Sequence, residues 1–532
     1  MAIPRWTPST ETTRREQILL KRVGRTRKLF GFLRTYRSQL FNEAFQEELA
    51  SMYRDTGEGR EPVAPALLAM ATLLQAYVNV SDAEAVDLSV VDARWQMVLG
   101  VLGVEEPPFS QGALQAFRER LIAHDMDRRL LERTVELAKE TGAFDYKKLP
   151  KTLRLAVDSR PLQGAGRVED TFNLLAHAAR KLLACAAAVT GYETKSIAKA
   201  AQTPLLVSSS LKRGLDIDWT DSAQKAEALA DLLEQIASLE EGVREHLVVQ
   251  ADQPPLAEHL QTLKQLREQD LEPDPSDPSG SKQRIRQGVA EDRRISIEDP
   301  EMRHGRKSKS RTINGYKSHL GMDLDTKLVL ACAVTPANRP EAEALGPIAA
   351  DVGRMPERAQ VAELYIDRGY LAAEATQQLA ANDTEIVCKP WPKRAGELFS
   401  KQDFSINLRK KTITCPAGST ESFELGSTVK FDAATCASCP MRAKCTTAAP
   451  EQGRTVTIAH DEPLQQKLRK AASTKAGRER LRERTAIEHK LAHLSRKQGP
   501  RARYKGTRKN LFDLRRHSAN LNLERMQAAK AA

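Results

Sequence analysis

Leu153-Arg154-Leu155-Ala156-Val157-Asp158 is the stretch that decides the fold. Leu153, Leu155 and Val157 alternate with smaller or polar residues and run straight into an acid. Alternation with a period of two marks a half-buried strand, so a strand carrying a carboxylate at its end is predicted here. The pattern recurs downstream. Glu363-Leu364-Tyr365-Ile366 runs into Asp367, followed by Gly369 and a predicted helix. Further strands are predicted at 316–322, 328–334 and 385–388, the last stopped by Pro390 and Pro392. Pro336 to Pro340 turns the chain into a helix beginning near Glu341. Strands alternating with helices, interrupted by two large insertions, imply an α/β core.

Outward from that core, residues 41–150 read as helical. Ser81-Asp82-Ala83-Glu84 has the form of a capping box. Ser110 opens another helix, whose Leu114, Phe117 and Leu121 share one face. The apolar stretch 63–80 contains Pro65, Gln75 and Asn79, so it reads as a buried helix and not a membrane span. This region shows no catalytic constellation; a helical DNA-binding or dimerising domain is expected, with plain packing as the alternative. After Pro161 the pattern turns helical again, and Leu229, Leu232, Ile236, Leu239, Val243 and Leu247 keep helical spacing. The run Pro273-Asp274-Pro275-Ser276-Asp277-Pro278-Ser279-Gly280 reads as a flexible linker or loop. The expected domains are therefore 1–150, helical, and a core over 151–516. That core is interrupted by a helical insertion at 160–300 and a cysteine-rich one at 393–465, and a tail follows at 517–532.

Charge is unevenly placed along the 532 residues. Between Lys467 and Arg516 stand 18 Lys or Arg against four acids, giving +14, more than the +12 of the whole chain. Residues 1–40 carry +8, which leaves −10 for the remainder. Two basic ends flanking an acidic middle suit contact with a polyanion, and nucleic acid is the partner expected. No signal peptide is visible, since Arg5, Arg14, Arg15, Lys21 and Arg22 interrupt the first residues. A mean hydropathy of −0.49 fits a cytoplasmic protein with no membrane partner.

Within the basic segment Glu479 and Glu483 alternate with arginines and read as helix-face partners. Glu488 is different: it follows Arg484-Thr485-Ala486-Ile487 on an otherwise apolar face. A carboxylate where phosphate should dock costs affinity unless a cation uses it. Asp158 and Asp367 close predicted strands, and Glu488 arrives 121 residues after Asp367 on a helix. Phosphodiester displacement requires an activated attacking oxygen and a stabilised leaving oxygen. Two divalent ions about 4 Å apart do both when hard oxygen ligands hold them. Each acid alone is more often a turn residue, a cap or an ion-pair partner than a metal ligand.

The motifs add to this reading. Val157-Asp158-Ser159-Arg160-Pro161-Leu162 with Gly164-Ala165-Gly166 and Glu169-Asp170-Thr171 resembles the first catalytic block of bacterial insertion-sequence transposases. Asp367-Arg368-Gly369-Tyr370 resembles their second block, Asp-x-Gly-Tyr. Arg484-x-x-x-Glu488 matches the centre of the third, Tyr-x-x-Arg-x-x-x-Glu-x-x-x-x-x-x-Lys. The likeness takes in 67–121, Gly315-Tyr316-Lys317 and Pro336-Ala337-Asn338, and so nearly the whole chain. Leu481 and Ser495 depart from the signature, standing where it has Tyr and Lys.

The resemblance is to the DDE superfamily branch with a helical N-terminal domain and a cysteine-bearing insertion before the glutamate. It implies an α/β fold with a ribonuclease-H-like core. It also implies that Asp158, Asp367 and Glu488 coordinate two Mg²⁺ (or Mn²⁺) ions. Arg484 would hold phosphate or orient the glutamate, with Arg368 and Lys317 as weaker phosphate contacts. Either Arg496, Lys497 or Tyr504 makes up for the departures from the signature, or those phosphate contacts are absent. The partner implied is double-stranded DNA, as element ends and target, bound by a homodimer.

Cys415, Cys436, Cys439 and Cys445 leave gaps of 20, 2 and 5 residues. Four thiols so spaced read as a structural Zn²⁺ site, with reduced thiols as the alternative. His489 and His493 stand four apart on one helix, a spacing that fits solvent or phosphate contact better than metal without a third ligand. Arg501, Arg503, Tyr504, Lys505, Arg508 and Lys509 read as a DNA-contacting extension. The function expected is a cut-and-paste transposase. A nuclease with the same core that never joins strands, and a non-catalytic DNA-binding protein, are the alternatives.

Overall fold

The computed structural model describes residues 3–53, 61–280, 282–306, 310–355, 360–393 and 396–531. One mixed sheet of six strands lies at its centre. They are β1 (Leu153–Gln163), β2 (Arg303–Arg306), β3 (Thr312–Asp323), β4 (Val329–Pro336), β5 (Val361–Tyr365) and β6 (Glu385–Val387). The order across the sheet is β2-β3-β1-β5-β6, and β4 shares with β2 the outer edge of β3. β3 runs antiparallel to β1 and β4, whereas β5 and β6 join in parallel. This is the expected ribonuclease-H-like α/β core. Leu155, Ala156 and Val157 are all fully buried, because a sheet covered on both faces hides consecutive side chains.

Two details of β1 differ from expectation. The strand does not stop at Asp158 but continues to Gln163 through Pro161. Pairing with β5 ends at Ala156, while pairing with β3 continues to Gln163. The edge past Ala156 therefore belongs to no neighbouring strand, and a residue without an N–H is tolerated there. Asp158 thus sits in mid-strand, where the sheet opens.

The helical N-terminal region is as expected. Pro65–Val78 is buried almost throughout and ends on Asn79 in a left-handed conformation, φ 59°. Ser110 caps Gln111–Ala123, accepting from the Ala113 amide, and Leu114, Phe117 and Leu121 are buried. At Ser81 half of the capping box forms: its side chain accepts from the Glu84 amide at 3.1 Å.

The tail expected at 517–532 is instead the second half of one helix, Thr507–Ala531. That helix packs against Lys28–Leu40, Pro65–Val78, Met126–Glu140 and β4, so the N-terminal region and the sheet share one hydrophobic core. Several of its polar residues are buried with partners. Arg516 donates to Gln75 (2.6 Å), Asn520 to the Leu73 carbonyl (2.8 Å) and Asn522 to the Val329 carbonyl (2.8 Å).

The insertion after β1 is helical and has its own core, built from Thr171–Thr190, Ser222–His246 and Leu256–Asp270. Among the described residues, Thr171–Thr190 is the one helix long and apolar enough to cross a membrane; 56% of that span is packed inside the protein. The Pro- and Asp-rich run at 273–280 connects a two-stranded hairpin, Leu271–Pro273 with Gln283–Ile285. The cysteine-bearing insertion forms small sheets around Phe404, Ile413, Phe423, Val429, Phe431, Val456 and Ile458.

Candidate active site

Parallel pairing of Ala156 with Tyr365 fixes how β1 and β5 meet. Two residues beyond that pair each chain carries an aspartate, and two-residue alternation sends Asp158 and Asp367 towards the same rim. The third acid comes from the helix Thr485–Gln498. Ile487, Leu491 and Leu494 are buried along that helix. Glu488, Leu491, Ala492 and Ser495 line a pocket with Asp158 and Asp367, about 820 Å³ in volume. The three acids, expected together from sequence, do share this pocket.

Arg484 joins two of them. Its Nη1 donates to Asp158 Oδ2 at 2.8 Å and its Nη2 to Glu488 Oε1 at 2.6 Å. Asp158 Oδ1 also accepts from the Ser159 amide at 2.8 Å, and Asp367 Oδ1 from the Arg368 amide at 2.7 Å. Burial pushes the Asp158 carboxyl above the usual carboxylate range. Arg484 and the Ser159 amide pull it back, and the charges of Asp367 and Glu341 add to the rise.

Glu341 is a fourth carboxylate on the pocket wall. The sequence placed a helix start there without assigning the side chain a role. Its only linear signal is an acid just after the turn 336–340. Arg160, also unassigned, is buried and ties β1 to the glutamate helix. Its Nη1 donates to Ser495 Oγ and to the Gly499 carbonyl, each at 3.1 Å, and its Nη2 to Gln498. Burial lowers it to about 10, with Asp513 opposing. At Ser495, one of the two departures from the signature, the hydroxyl accepts from Arg160. At the other, Leu481 packs against the main core. Arg306 and Arg311 also face the pocket.

The remaining expected cations divide into two groups. Lys317 lines the pocket, donates to the Arg339 carbonyl at 2.7 Å, and is lowered by burial. Arg368 donates to the Pro390 carbonyl at 2.9 Å, and Arg496 is exposed beside Ser495. Most of the residues read as a DNA-contacting extension, and Lys497 before them, also bond within the protein, while Lys509 is exposed. Lys497 pairs with Glu524 at 2.6 Å and Arg501 donates to the Ala165 carbonyl at 3.0 Å. Arg503 donates to the Val80 carbonyl, and Tyr504 accepts from Arg118 at 2.9 Å. Lys505 pairs with Glu298, and Arg508 with Asp127. Glu483 likewise pairs with Arg154 of β1, not with a helix neighbour.

Asp158, Asp367 and Glu488 form an all-oxygen donor set, the chemistry that suits hard divalent cations. Cys415, Cys436, Cys439 and Cys445 line a second pocket of about 270 Å³. Burial pushes the Cys445 thiol up, Arg454 opposes, and the other three thiols add to the rise. Among the described residues no three His, Cys, Asp or Glu side chains are closed around one point as a bound ion requires. The convergence is of walls and not yet of ligand atoms. His489 is exposed, and His493 Nε2 lies 3.6 Å from Glu524.

Residues 414–527 match the family model described as "Transposase DDE domain", a span that includes Glu488, Arg484 and the four cysteines. Residues 24–120 match "Transposase domain (DUF772)". No curated protein and no solved structure matches the chain. With the ribonuclease-H-like sheet, these matches define an enzyme of the nuclease and transposase class. Within that class the two matches support an insertion-sequence DDE transposase.

Proposed function

We propose that this transposase cuts at the ends of its element and joins the freed 3′-hydroxyl to target DNA. The observation that carries the reading is the convergence of Asp158, Asp367 and Glu488 on one pocket walled by Arg484, Arg306, Arg311 and Lys317. In the first step water attacks the terminal phosphodiester, the P–O3′ bond breaks, and a 3′-hydroxyl and a 5′-phosphate result. In the second the 3′-hydroxyl attacks a target phosphodiester and displaces its 3′-oxygen, so one ester replaces another. The three acids would hold two Mg²⁺ (or Mn²⁺) ions, which supply activation of the attacking oxygen and charge stabilisation of the leaving one.

The chain's own groups have distinct parts in this scheme. Arg484, spanning Asp158 and Glu488, is placed to exchange a carboxylate for a phosphate oxygen. Lys317, Arg368 and Arg496 are the further phosphate contacts proposed. Lys497, Arg501, Arg503, Tyr504 and Lys505 brace the structure that presents them. The four cysteines are proposed to hold a structural Zn²⁺, their side chains drawing together around the ion. The working form is a homodimer bridging two element ends, in the cytoplasm.

The test supplies Mg²⁺ and a duplex bearing the element ends to wild type and to Asp367→Ala. Cleavage and joining by wild type, both abolished in the variant, is the expected result. Cleavage that survives the substitution overturns the ligand assignment, and cleavage without joining makes the protein a nuclease.

A further inference from the structure

Glu341 opens the turn of helix that follows β4, and its carboxylate reaches residues just past both aspartates, Ser159 in β1 and Gly369 in the turn after β5. Oε1 accepts from Ser159 Oγ at 2.5 Å, and the Ser159 amide is the one that donates to Asp158 Oδ1. Oε2 lies against Gly369, two residues past Asp367, so closely that a Cβ there would collide with it. Gly369 has no positive φ, so its lack of a side chain serves this close approach and not a turn. The next residue, Tyr370, is buried and meets His319 Nδ1 through its hydroxyl at 2.7 Å. The turn after Asp367 is thus held from one side by Glu341 and from the other by β3.

We infer that Glu341 is a positioning residue of the transposase site. It is wedged between Ser159 and Gly369 and fixes where Asp158 and Asp367 stand relative to one another. β1 and β5 stop pairing at Ala156 and Tyr365, so backbone ladder bonds between these two strands no longer set that spacing at the acids. Glu341 bridges the gap in their place. The inference rests on the proposed use of the two aspartates as metal ligands, because spacing matters only if both act on one ion cluster. Groups that orient a metal ligand typically contribute about 10–100-fold to metal affinity.

The test uses full-length protein and two readouts. Mn²⁺ binding without DNA is followed by electron paramagnetic resonance, and amide hydrogen exchange is followed over 158–160 and 367–371. Glu341→Ala and Ser159→Ala should each weaken Mn²⁺ binding about tenfold or more. The double variant should be no worse than the single ones, because both break one connection. Glu341→Gln, whose amide oxygen still accepts from Ser159, should recover most of the affinity. Gly369→Ala, which displaces the carboxylate, should behave like Glu341→Ala even if the latter folds poorly. Exchange over 367–371 should quicken in Glu341→Ala and Gly369→Ala and stay at the wild-type rate in Glu341→Gln. Unchanged affinity and exchange in Glu341→Ala, or a Glu341→Gln as impaired as the alanine variant, overturns the inference. If wild type itself binds no Mn²⁺, or binds it equally well as Asp367→Ala, the metal reading falls, and the exchange data alone then decide the role of Glu341.

Discussion

Arg484 sits where two of the acids would otherwise repel each other, donating to both at 2.8 and 2.6 Å. Arg484→Lys keeps the charge but loses the planar fork that reaches two acceptors at once. A fold that persists with single-turnover cleavage slowed by about 100-fold is the expected outcome. Arg160 has a different part, because it is buried and its acceptors lie on the glutamate helix. Arg160→Met should leave Ser495, Gln498 and the Gly499 carbonyl without their donor and cost about 2–4 kcal/mol in a urea melt. Much of this scale was legible in the sequence: Asp158, Asp367, Glu488 and Arg484 share the pocket. Glu341 and Arg160 were not legible, because their signal lies in what they touch. Ser159 and Glu341 are 182 residues apart in the chain, and Arg160 and Ser495 are 335 apart.

Among the elements, the strands with apolar alternation and the helices with capping residues were found where the pattern placed them. Ser110 caps its helix through its hydroxyl, so Ser110→Ala should lower stability by about 1 kcal/mol, read from the shift in urea midpoint at constant slope. Ser81, whose hydroxyl accepts from the Glu84 amide at 3.1 Å, should cost about as much on the same substitution. Three kinds of element escaped the pattern for physical reasons. β1 runs on through a proline because its edge there has no partner strand. The Pro- and Asp-rich run closes a hairpin whose strands are only three residues each, too short to show a period. The strands of the cysteine-bearing insertion, also of three residues, alternate mostly threonine with single apolar residues. Element type was readable where burial is continuous, and lost where a strand is too short to repeat.

At the scale of the molecule, the core holds two neutral imidazoles. Burial pulls His319 down to about 3, and Lys317 adds to the fall. Burial also pulls His517 down to about 4; Asp513 opposes, and Arg516, Arg160 and Arg503 add to the fall. Unfolded histidines take up a proton near pH 6.5. As pH drops from there towards 3 the unfolded chain gains protons that the fold refuses, so stability falls. Asp513, held down to about 2 against its burial chiefly by the Arg516 guanidinium, loses its contribution as pH falls from its unfolded value of about 3.9 towards 2. Together the two histidines should cost on the order of several kcal/mol by pH 4. Denaturant midpoints at pH 7.5, 5.5 and 4.5 check this, and His517→Asn should flatten the slope above pH 4. Sequence composition gave no hint of it, since both rings lie in segments that also carry arginine or lysine.

The long 507–531 helix has a consequence for how the protein comes into being. Translation delivers the N-terminal helices, β1, β4 and β5 well before it. Through all that time the Leu73 and Val329 carbonyls lack the side-chain donors that Asn520 and Asn522 later supply. Glu488 too is made after both aspartates. A nascent chain therefore carries two of its three acids and an uncovered apolar face for most of its synthesis. On the proposed function it could act on DNA only once Glu488 and the helix packed behind it are in place. A chain ending before residue 507 would lack the helix that completes this core and is expected to aggregate.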